Sequence, residues 1–363
     1  MPNLLYLANT AFVILVFAAS INFIVDPAGV YRPDRDSATK FAATLIQAEN
    51  GLWWQDESFS DRAIKMSLAK YSNQYECVVI GSSHVMQVGS ARKINSLVNI
   101  CSSILNLGVS GASIEDQFAL AYLALKDGHP KKIVLGVDLW TFAFGKDHRW
   151  SFYSDDYLQA RRNVFGGTSL ITSEEPSGSL QSKLRNLLSL EYTIKSFRKA
   201  IGDFTHGSDR HLAILAPKTG ESGGAHAALL RDGSLLYSGS YIEQAKGKPI
   251  ALGGELYGTD GILNDPGAIN AYRALLLWIK SKGVEPILLL TPYHQNVWKA
   301  ANSKNTLALK ATEPIVLQIA SDLGIAVLGS YNPEAVGCLS TEFFDFMHPT
   351  ADCLSKLEIV PYH

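Results

Sequence analysis

Five short apolar runs alternate with segments of helical periodicity, and this alternation constrains the fold more than any other feature. Runs of four to six β-branched and aliphatic residues next to glycine or proline are typical of buried strands. Strands that alternate with helices form βαβ units with parallel strands and right-handed crossovers. The sequence therefore predicts a three-layer α/β domain of about five parallel strands, at residues 77–80, 104–107, 132–137, 286–290 and 325–328.

The helical segments and one long irregular stretch complete this organisation. Glycine pairs and few apolar runs mark residues 140–265. Long loops of this kind are often lids or substrate-binding surfaces, and the alternative is a variable excursion. We expect one domain over 26–363 with an insertion at about 140–265, which contains a helix at 180–201 and a hairpin near 231–237. Other helices are expected at 41–47, 58–71, 84–98, 114–125, 268–282, 307–323 and 354–360.

The first 25 residues differ from the rest of the chain, because no charged residue occurs between Leu4 and Val25. A helix of about 20 residues spans the hydrocarbon core of a bilayer. This length favours a transmembrane anchor over residues 1–25. A signal peptide cleaved near Ala18-Ala19-Ser20 and a buried core helix are the alternatives. Arg32, Arg35 and Lys40 follow the segment and by the positive-inside rule hold that side in the cytoplasm.

Composition excludes several classes of function. The chain has 363 residues, is 47% hydrophobic and carries a formal net charge of -2. It lacks the basic stripe with interleaved aromatic residues that nucleic-acid binding requires, so we expect no nucleic-acid partner. It also lacks a Cys-x-x-Cys pair, a zinc-like Cys/His cluster and a phosphate-binding Gly-x-x-x-x-Gly-Lys loop. We therefore expect neither a metal ion nor a cofactor.

The four cysteines form two potential pairs. Cys77 and Cys101 each precede a predicted strand, and these strands are parallel neighbours in the expected sheet. Cys338 and Cys353 flank a motif near the C-terminus. Two disulfides would be consistent with an exported protein, and four buried free thiols are the alternative.

Two motifs carry candidate chemistry. The first strand ends at Gly81-Ser82-Ser83-His84, which puts a hydroxyl at the carboxyl edge of the sheet, beside unpaired N–H groups of the following helix. The alternative is an ordinary turn with serine as N-cap. A serine nucleophile needs a hydrogen-bonded base. His348 is the candidate base and Asp345 the group that orients it. His294, after the fourth strand, could line the pocket or act as the base instead.

Four separated blocks resemble the SGNH, or GDSL-type, hydrolases. The resemblance covers about residues 75–138 and 265–360. It implies a flavodoxin-like SGNH fold in which Ser83 is the nucleophile, and the N–H groups of Ser83 and Gly111 form the oxyanion hole. The blocks are Gly81-Ser82-Ser83 for the family's Gly-Asp-Ser, Asn106-Leu-Gly-Val-Ser-Gly111 for Asn-x-Gly-x-Ser-Gly, Gly136-Val-Asp138 for Gly-x-Asn-Asp, and Asp345-Phe-Met-His348-Pro for Asp-x-x-His-Pro.

Asp138 departs from the family pattern, because it stands where the family has an asparagine that donates to the oxyanion. An ionised carboxylate only accepts hydrogen bonds. Three outcomes follow: the hole has two donors, or Trp140 Nε1 or Asn106 supplies the third, or catalysis is impaired. Asp138 could instead hold Ser82 or His84. His84 itself is a candidate substrate contact, with a polar residue at a helix N-terminus as the alternative.

The apolar N-terminus, the segment Phe23–Tyr31 and Gly-Ser-Ser-His also resemble those of envelope proteins that work with membrane-bound O-acyltransferases, of the alginate O-acetylation and teichoic-acid D-alanylation type. This resemblance implies a single-pass protein of the inner (cytoplasmic) membrane with its catalytic domain in the periplasm or at the cell surface, the orientation opposite to the one that Arg32, Arg35 and Lys40 indicate. It would move an acyl group, expected to be acetyl, onto or off a polysaccharide. The alternative is a catalytically weak scaffold that binds glycan or the acyltransferase partner.

Overall fold

A computed structural model describes residues 2–26, 31, 35–54, 60–90, 97, 99–126, 128–145, 149–150, 154–166, 184, 187–206, 227–247, 263–300 and 303–360 of the chain. Within these ranges the helices are α1 (Pro2–Val25), α2 (Arg35–Gln47), α3 (Asp61–Ala69), α4 (Ile114–Lys126), α5 (Ser154–Phe165), α6 (Leu190–His206), α7 (Gly239–Gly247), α8 (Pro266–Ser281), α9 (Gln295–Lys299), α10 (Lys304–Leu323) and α11 (Ala351–Leu354). The strands are β1 (Leu52–Trp54), β2 (Cys77–Ile80), β3 (Ile104–Asn106), β4 (Lys132–Gly136), β5 (Ala227–Leu229), β6 (Leu235–Leu236), β7 (Glu285–Leu290), β8 (Ala326–Gly329) and β9 (Ile359–Val360).

A six-stranded sheet forms the centre of the molecule, in the order β3-β2-β4-β7-β8-β9. The first five strands in this order pair in parallel, and β9 pairs with β8 antiparallel. The five predicted parallel strands are confirmed. The prediction of a terminal helix over 354–360 is wrong. The helix α11 ends at Leu354, and β9 then pairs antiparallel with β8 at the edge of the sheet.

Alternation of side chains along each strand buries both faces of this sheet. Val78 and Ile80 belong to a large core that also includes apolar residues of α4, α8 and α10. Val79 lies in a second, smaller core with Val85 and Leu354. All four residues of β2 are buried, so the strand that leads to Gly81 is held from both sides.

Local sequence sets the ends of the helices that follow the insertion. Asp265 caps α8 by accepting a hydrogen bond from Ala268 N at 2.8 Å. Gly324 ends α10 with a left-handed φ of 58°, which glycine adopts without steric cost. The helix predicted over 84–98 is different: the described part is one 3-10 turn, Ser83–Val85, and residues 91–96 and 98 lie outside the described residues.

A small antiparallel sheet joins the insertion to the N-terminal part of the domain. Its strand order is β1-β5-β6. In the sequence, β1 precedes β2, whereas β5 and β6 follow β4, so this sheet pairs strands that are far apart along the chain. Lys65 of α3 is buried and donates hydrogen bonds to the backbone oxygens of Asn106, at 2.9 Å, and Gly233, at 2.5 Å. Of the helix expected over 180–201, the structure has α6, while residues 180–183 and 185–186 lie outside the described part.

The helix expected at the N-terminus is α1, whose C-terminal end packs against α6. Asn22 donates hydrogen bonds to Leu187 O and Thr193 Oγ1, both at 2.9 Å. In the part of the chain that the structure describes, no helix is both long enough and apolar enough to cross a membrane. The transmembrane element expected over residues 1–25 is therefore not found.

The structure has two disulfides rather than four free thiols. Cys77 is joined to Cys101 and links β2 to the segment before β3. Cys338 is joined to Cys353 and closes the stretch that contains Asp345 and His348.

Candidate active site

Ser83 lies two residues beyond Gly81, at the carboxyl end of β2, the second strand of the six-stranded sheet. The backbone is crowded here, because a Cβ on Gly81 would lie 3.1 Å from Gly136 Cα and 3.0 Å from Val85 Cγ2. Ser82 is buried, and its Oγ accepts a hydrogen bond from His84 N at 3.2 Å as the N-cap of the 3-10 turn. The cap and the glycine thus fix the turn that presents the Ser83 hydroxyl.

Three side chains from the two ends of the chain form one hydrogen-bonded series. Ser83 Oγ lies 2.8 Å from His348 Nε2, and His348 Nδ1 lies 2.8 Å from Asp345 Oδ2. The other carboxylate oxygen of Asp345 accepts the backbone N–H groups of Met347 and His348, each at 2.8 Å. The carboxylate accepts the Nδ1 proton, which leaves Nε2 free to accept the proton of the serine hydroxyl.

Asp345 is held in its ionised form. Its side chain is mostly buried, and burial by itself raises the pKa of a carboxyl group. Hydrogen bonds from His348, from the Met347 backbone and from Tyr241, together with the charge of His348, outweigh burial and keep the pKa of Asp345 well below its usual range. A stable negative charge at this position stabilises the imidazolium that forms when His348 takes up a proton.

Gln87 joins the C-terminal loop to the turn of Ser83, and sequence reasoning missed it. This buried residue follows the 3-10 turn, and its Nε2 donates to Pro349 O at 2.8 Å. The carbonyl it contacts belongs to the residue directly after His348. His348 O in turn accepts from Phe344 N at 2.9 Å, so the loop is closed on itself as well as tied to Ser83. No signal in the sequence distinguishes this glutamine from a surface residue.

The backbone N–H groups of Ser83 and Gly111, the expected oxyanion donors, have no acceptor among the described residues and are therefore available to a bound group. Gly111 has a φ of 57° in the loop after β3, a left-handed conformation that favours glycine. Val109 N donates to Gly81 O at 2.9 Å, which holds this loop against the turn of Ser83.

Asn106 and Trp140 do not supply a further donor. Both N–H groups of the Asn106 amide are occupied, by Val85 O at 2.6 Å and Val88 O at 2.7 Å. Trp140 Nε1 donates to Ala112 O at 2.8 Å. Of the three outcomes expected for the departure at position 138, these contacts argue against a third donor from Trp140 Nε1 or Asn106. Asn106 instead braces the Ser83 turn against β3.

Asp138 is paired with His84, as one of the expectations for this position has it. His84 Nδ1 lies 2.5 Å from Asp138 Oδ1, and both side chains are buried. The His84 ring packs against three rings, those of Tyr293 at 5.1 Å, His348 at 5.2 Å and Trp140 at 5.8 Å between centroids. The His84 ring thus packs against the His348 ring, and the hydrogen bond with Asp138 fixes the orientation of the His84 ring.

His294 holds the loop that carries His348, and it does not take the place of His348 beside Ser83. It caps α9, where its Nδ1 accepts from Asn296 N at 3.1 Å, and its backbone N–H donates to Phe346 O at 3.1 Å. Burial lowers its pKa, although a backbone hydrogen bond to Ser340 and the charge of Asp345 oppose this shift. Of the two histidines expected as candidates for the base, His348 is the one that makes a hydrogen bond with Ser83.

The insertion contributes Tyr237 and Tyr241, which sequence reasoning also missed. Tyr241 donates from its hydroxyl to Asp345 Oδ2 at 2.7 Å. The two tyrosine rings stack with centroids 4.8 Å apart, and Tyr237 also packs against His348 at 6.0 Å. Tyr237 directly follows β6 and Tyr241 lies in the first turn of α7. Their spacing of four residues does not indicate which loop the pair contacts.

Among the described residues, no group of histidine, cysteine or carboxylate side chains is arranged to hold a metal ion. Comparison with models of known protein families and with curated proteins finds no match for this chain. The site brings together a serine hydroxyl, an imidazole, an ionised carboxylate and two backbone N–H groups that have no acceptor in the described part of the chain.

Proposed function

We propose that this protein is a serine acyl-transfer enzyme with the flavodoxin-like SGNH fold, acting as an O-acyltransferase or esterase on a cell-envelope polysaccharide. The observation that carries the proposal is the hydrogen-bonded series Ser83–His348–Asp345. A serine, a base in contact with it and a carboxylate that orients the base are the groups that acyl transfer through a covalent intermediate requires.

In the first half of the reaction, Ser83 Oγ attacks the carbonyl carbon of an acyl ester while His348 Nε2 takes the hydroxyl proton. The carbonyl oxygen becomes an oxyanion, which accepts hydrogen bonds from the N–H groups of Ser83 and Gly111. The intermediate then collapses: the bond from the carbonyl carbon to the donor's oxygen breaks, and His348 returns the proton to that oxygen. The acyl group remains on Ser83 as an ester.

In the second half, a hydroxyl group attacks the acyl-enzyme, and His348 now takes the proton of this acceptor. A sugar hydroxyl gives transfer to a polysaccharide, and water gives hydrolysis. Ser83 leaves with the proton from His348, so the enzyme is restored. The polysaccharide acceptor, acetyl as the acyl group, and a membrane-bound O-acyltransferase as the source of that group follow from the resemblance to envelope proteins.

Two disulfides support a location of the α/β body outside the cytoplasm, in the periplasm or at the cell surface. Cys77–Cys101 and Cys338–Cys353 account for all four cysteines of the chain. Disulfides form and persist in oxidising compartments and are rare where thiols are kept reduced.

A catalytically weak scaffold that binds glycan or the acyltransferase partner is the second candidate, and one observation favours it. Asp138 stands where the resemblance expects a donor, and it is engaged with His84. Loss of one oxyanion donor typically lowers the rate by about 10²–10³-fold. Such a loss slows acyl transfer without abolishing it, which is why we favour the enzyme.

The proposal is tested by covalent labelling with a fluorophosphonate probe. We expect the wild type to be labelled, Ser83→Ala not to be labelled, and Ser355→Ala, a change of an exposed serine remote from His348, to be labelled like the wild type. Hydrolysis of p-nitrophenyl acetate should follow the same pattern. Labelling that persists in Ser83→Ala, or no labelling of folded wild type, would favour the scaffold. Added glycan that outcompetes water for the acyl group distinguishes a transferase from an esterase.

A further inference from the structure

The hydroxyl of Tyr241 shares one carboxylate oxygen with the catalytic histidine. It donates to Asp345 Oδ2 at 2.7 Å, and His348 Nδ1 contacts the same oxygen at 2.8 Å. The hydroxyl also lies 3.4 Å from His348 Nδ1. The three groups therefore form a compact triangle, and a change in one contact alters the charge available to the other.

Tyr241 reaches this position because the insertion is fixed to the turn of Ser83. Leu235 N in β6 donates to Met86 O at 2.7 Å, directly after the 3-10 turn. The ring of Tyr237 then packs against Phe344 at 5.2 Å and stacks on Tyr241 at 4.8 Å. The start of α7 is thus held by backbone and aromatic contacts that do not involve the Tyr241 hydroxyl.

We propose that Tyr241 is a positioning residue of the Ser83–His348–Asp345 series, through which the insertion sets how strongly Asp345 stabilises the charged form of His348. The inference rests on the proposed function. Hydrogen bonds to a carboxylate disperse its negative charge. With the Tyr241 donor present, Asp345 attracts the imidazolium less strongly than a carboxylate with His348 as its single side-chain donor would.

The other groups that face His348 do not change when the hydroxyl is removed. Ser83 and Asp345 contact the two ring nitrogens, and Tyr237 packs against one side of the ring. His84 packs at 5.2 Å on the sheet side, with Asp138 behind it. Tyr241→Phe keeps the aromatic ring and its stack, so it removes one donor and leaves this environment in place.

The first test is the pH dependence of kcat/KM for p-nitrophenyl acetate in Tyr241→Phe. Removal of the donor leaves Asp345 with more charge to stabilise imidazolium, so His348 stays protonated to higher pH. The acid limb of the profile should therefore move to higher pH, by about half a pH unit or more, with KM unchanged. The matched control is Tyr75→Phe, which removes a hydroxyl that ties the sheet to Arg231 O in the insertion without touching Asp345. In Tyr75→Phe the acid limb of the pH profile of kcat/KM should stay where it is in the wild type.

The second test does not depend on activity. The proton on His348 Nδ1 should give a low-field proton NMR resonance, assigned by its loss in His348→Gln. In Tyr241→Phe this resonance should move further downfield, because the remaining bond to Asp345 strengthens. An unmoved resonance and an unmoved acid limb would overturn the inference. So would a Tyr241→Phe variant that does not fold, since the hydroxyl would then be structural. Absence of activity with a shifted resonance would refute the proposed function and show only that Tyr241 strengthens or weakens the contact between Asp345 and His348, so the two failures are distinguishable.

Discussion

Ser83 Oγ lies 2.8 Å from His348 Nε2, although the two residues are 265 positions apart in the chain. Local structure alone places Ser83 after β2 and His348 in one turn with Asp345, and it does not bring the two residues together. The contact itself depends on Gln87, which joins the turn after Ser83 to Pro349 O. The proposed chemistry therefore depends on a long-range contact that is itself held by a neutral hydrogen bond.

Substitution of the base and of its carboxylate should have large, non-additive effects. We expect His348→Gln to lower kcat for p-nitrophenyl acetate by about 10⁶-fold and Asp345→Asn by about 10⁴-fold, as in other serine triads. The double variant should be no slower than His348→Gln, because the residues act as a unit. His129→Gln, a change of an exposed histidine, is the control. Additive losses would show that the two side chains act independently.

Asp138 and His84 should be coupled in stability. Removal of one partner leaves the other buried without its hydrogen bond, which costs about 1–3 kcal/mol. We expect Asp138→Leu and His84→Phe, which keep the bulk of each side chain but cannot make this hydrogen bond, each to lower the free energy of unfolding in urea by such an amount, and the double variant by less than the sum. Asp138→Asn should also not raise kcat, because this side chain is turned toward His84 rather than toward Ser83. A rate increase would mean that position 138 faces the oxyanion.

The two disulfides should differ in their effect on activity. Cys338–Cys353 closes a loop with a sequence separation of 15 that contains Asp345 and His348, and Cys77–Cys101 closes one of 24 at the start of β2. Chain entropy predicts a loss of about 3 kcal/mol for either pair when both cysteines become serine. Only the Cys338→Ser/Cys353→Ser variant should also lose most of its kcat under conditions where both variants are folded. Equal losses of kcat would contradict this prediction.

Glu115 should make stability depend on pH near neutrality. Burial raises the pKa of this α4 carboxyl group to about 7, against an opposing hydrogen bond from Gly145 N at 2.8 Å. Because the folded-state pKa lies above the unfolded one, its contribution is fully present below the unfolded pKa and is lost as pH rises through about 7. Glu115→Gln should flatten the free energy of unfolding across that window and stabilise the protein at pH above it. Glu358→Gln, an exposed change, should leave the slope as it is.

Local patterns were sufficient for the five parallel strands of the sheet but not for its antiparallel edge strand. The five parallel strands were predictable because buried strands are continuous apolar runs between glycine and proline. The antiparallel β9 was not predictable, because Ile359–Val360 is a strand of two residues, which is too short to show a hydrophobic periodicity. The 3-10 turn at Ser83–Val85 was predicted as the start of a long helix for the same reason: hydrophobic spacing over a few residues does not separate the two.

By itself, the sequence determined which groups stand at the ends of strands: Ser83 after β2, the loop of Gly111 after β3, and Asp138 after β4. It also determined that Asp345 and His348 share one turn, because their separation of three residues is a local property. Tertiary structure decided the partners. It paired Asp138 with His84, occupied the amide of Asn106, and brought Tyr241 from the insertion to Asp345. These contacts join residues from 18 to 104 positions apart, and no local period encodes which buried groups will satisfy one another.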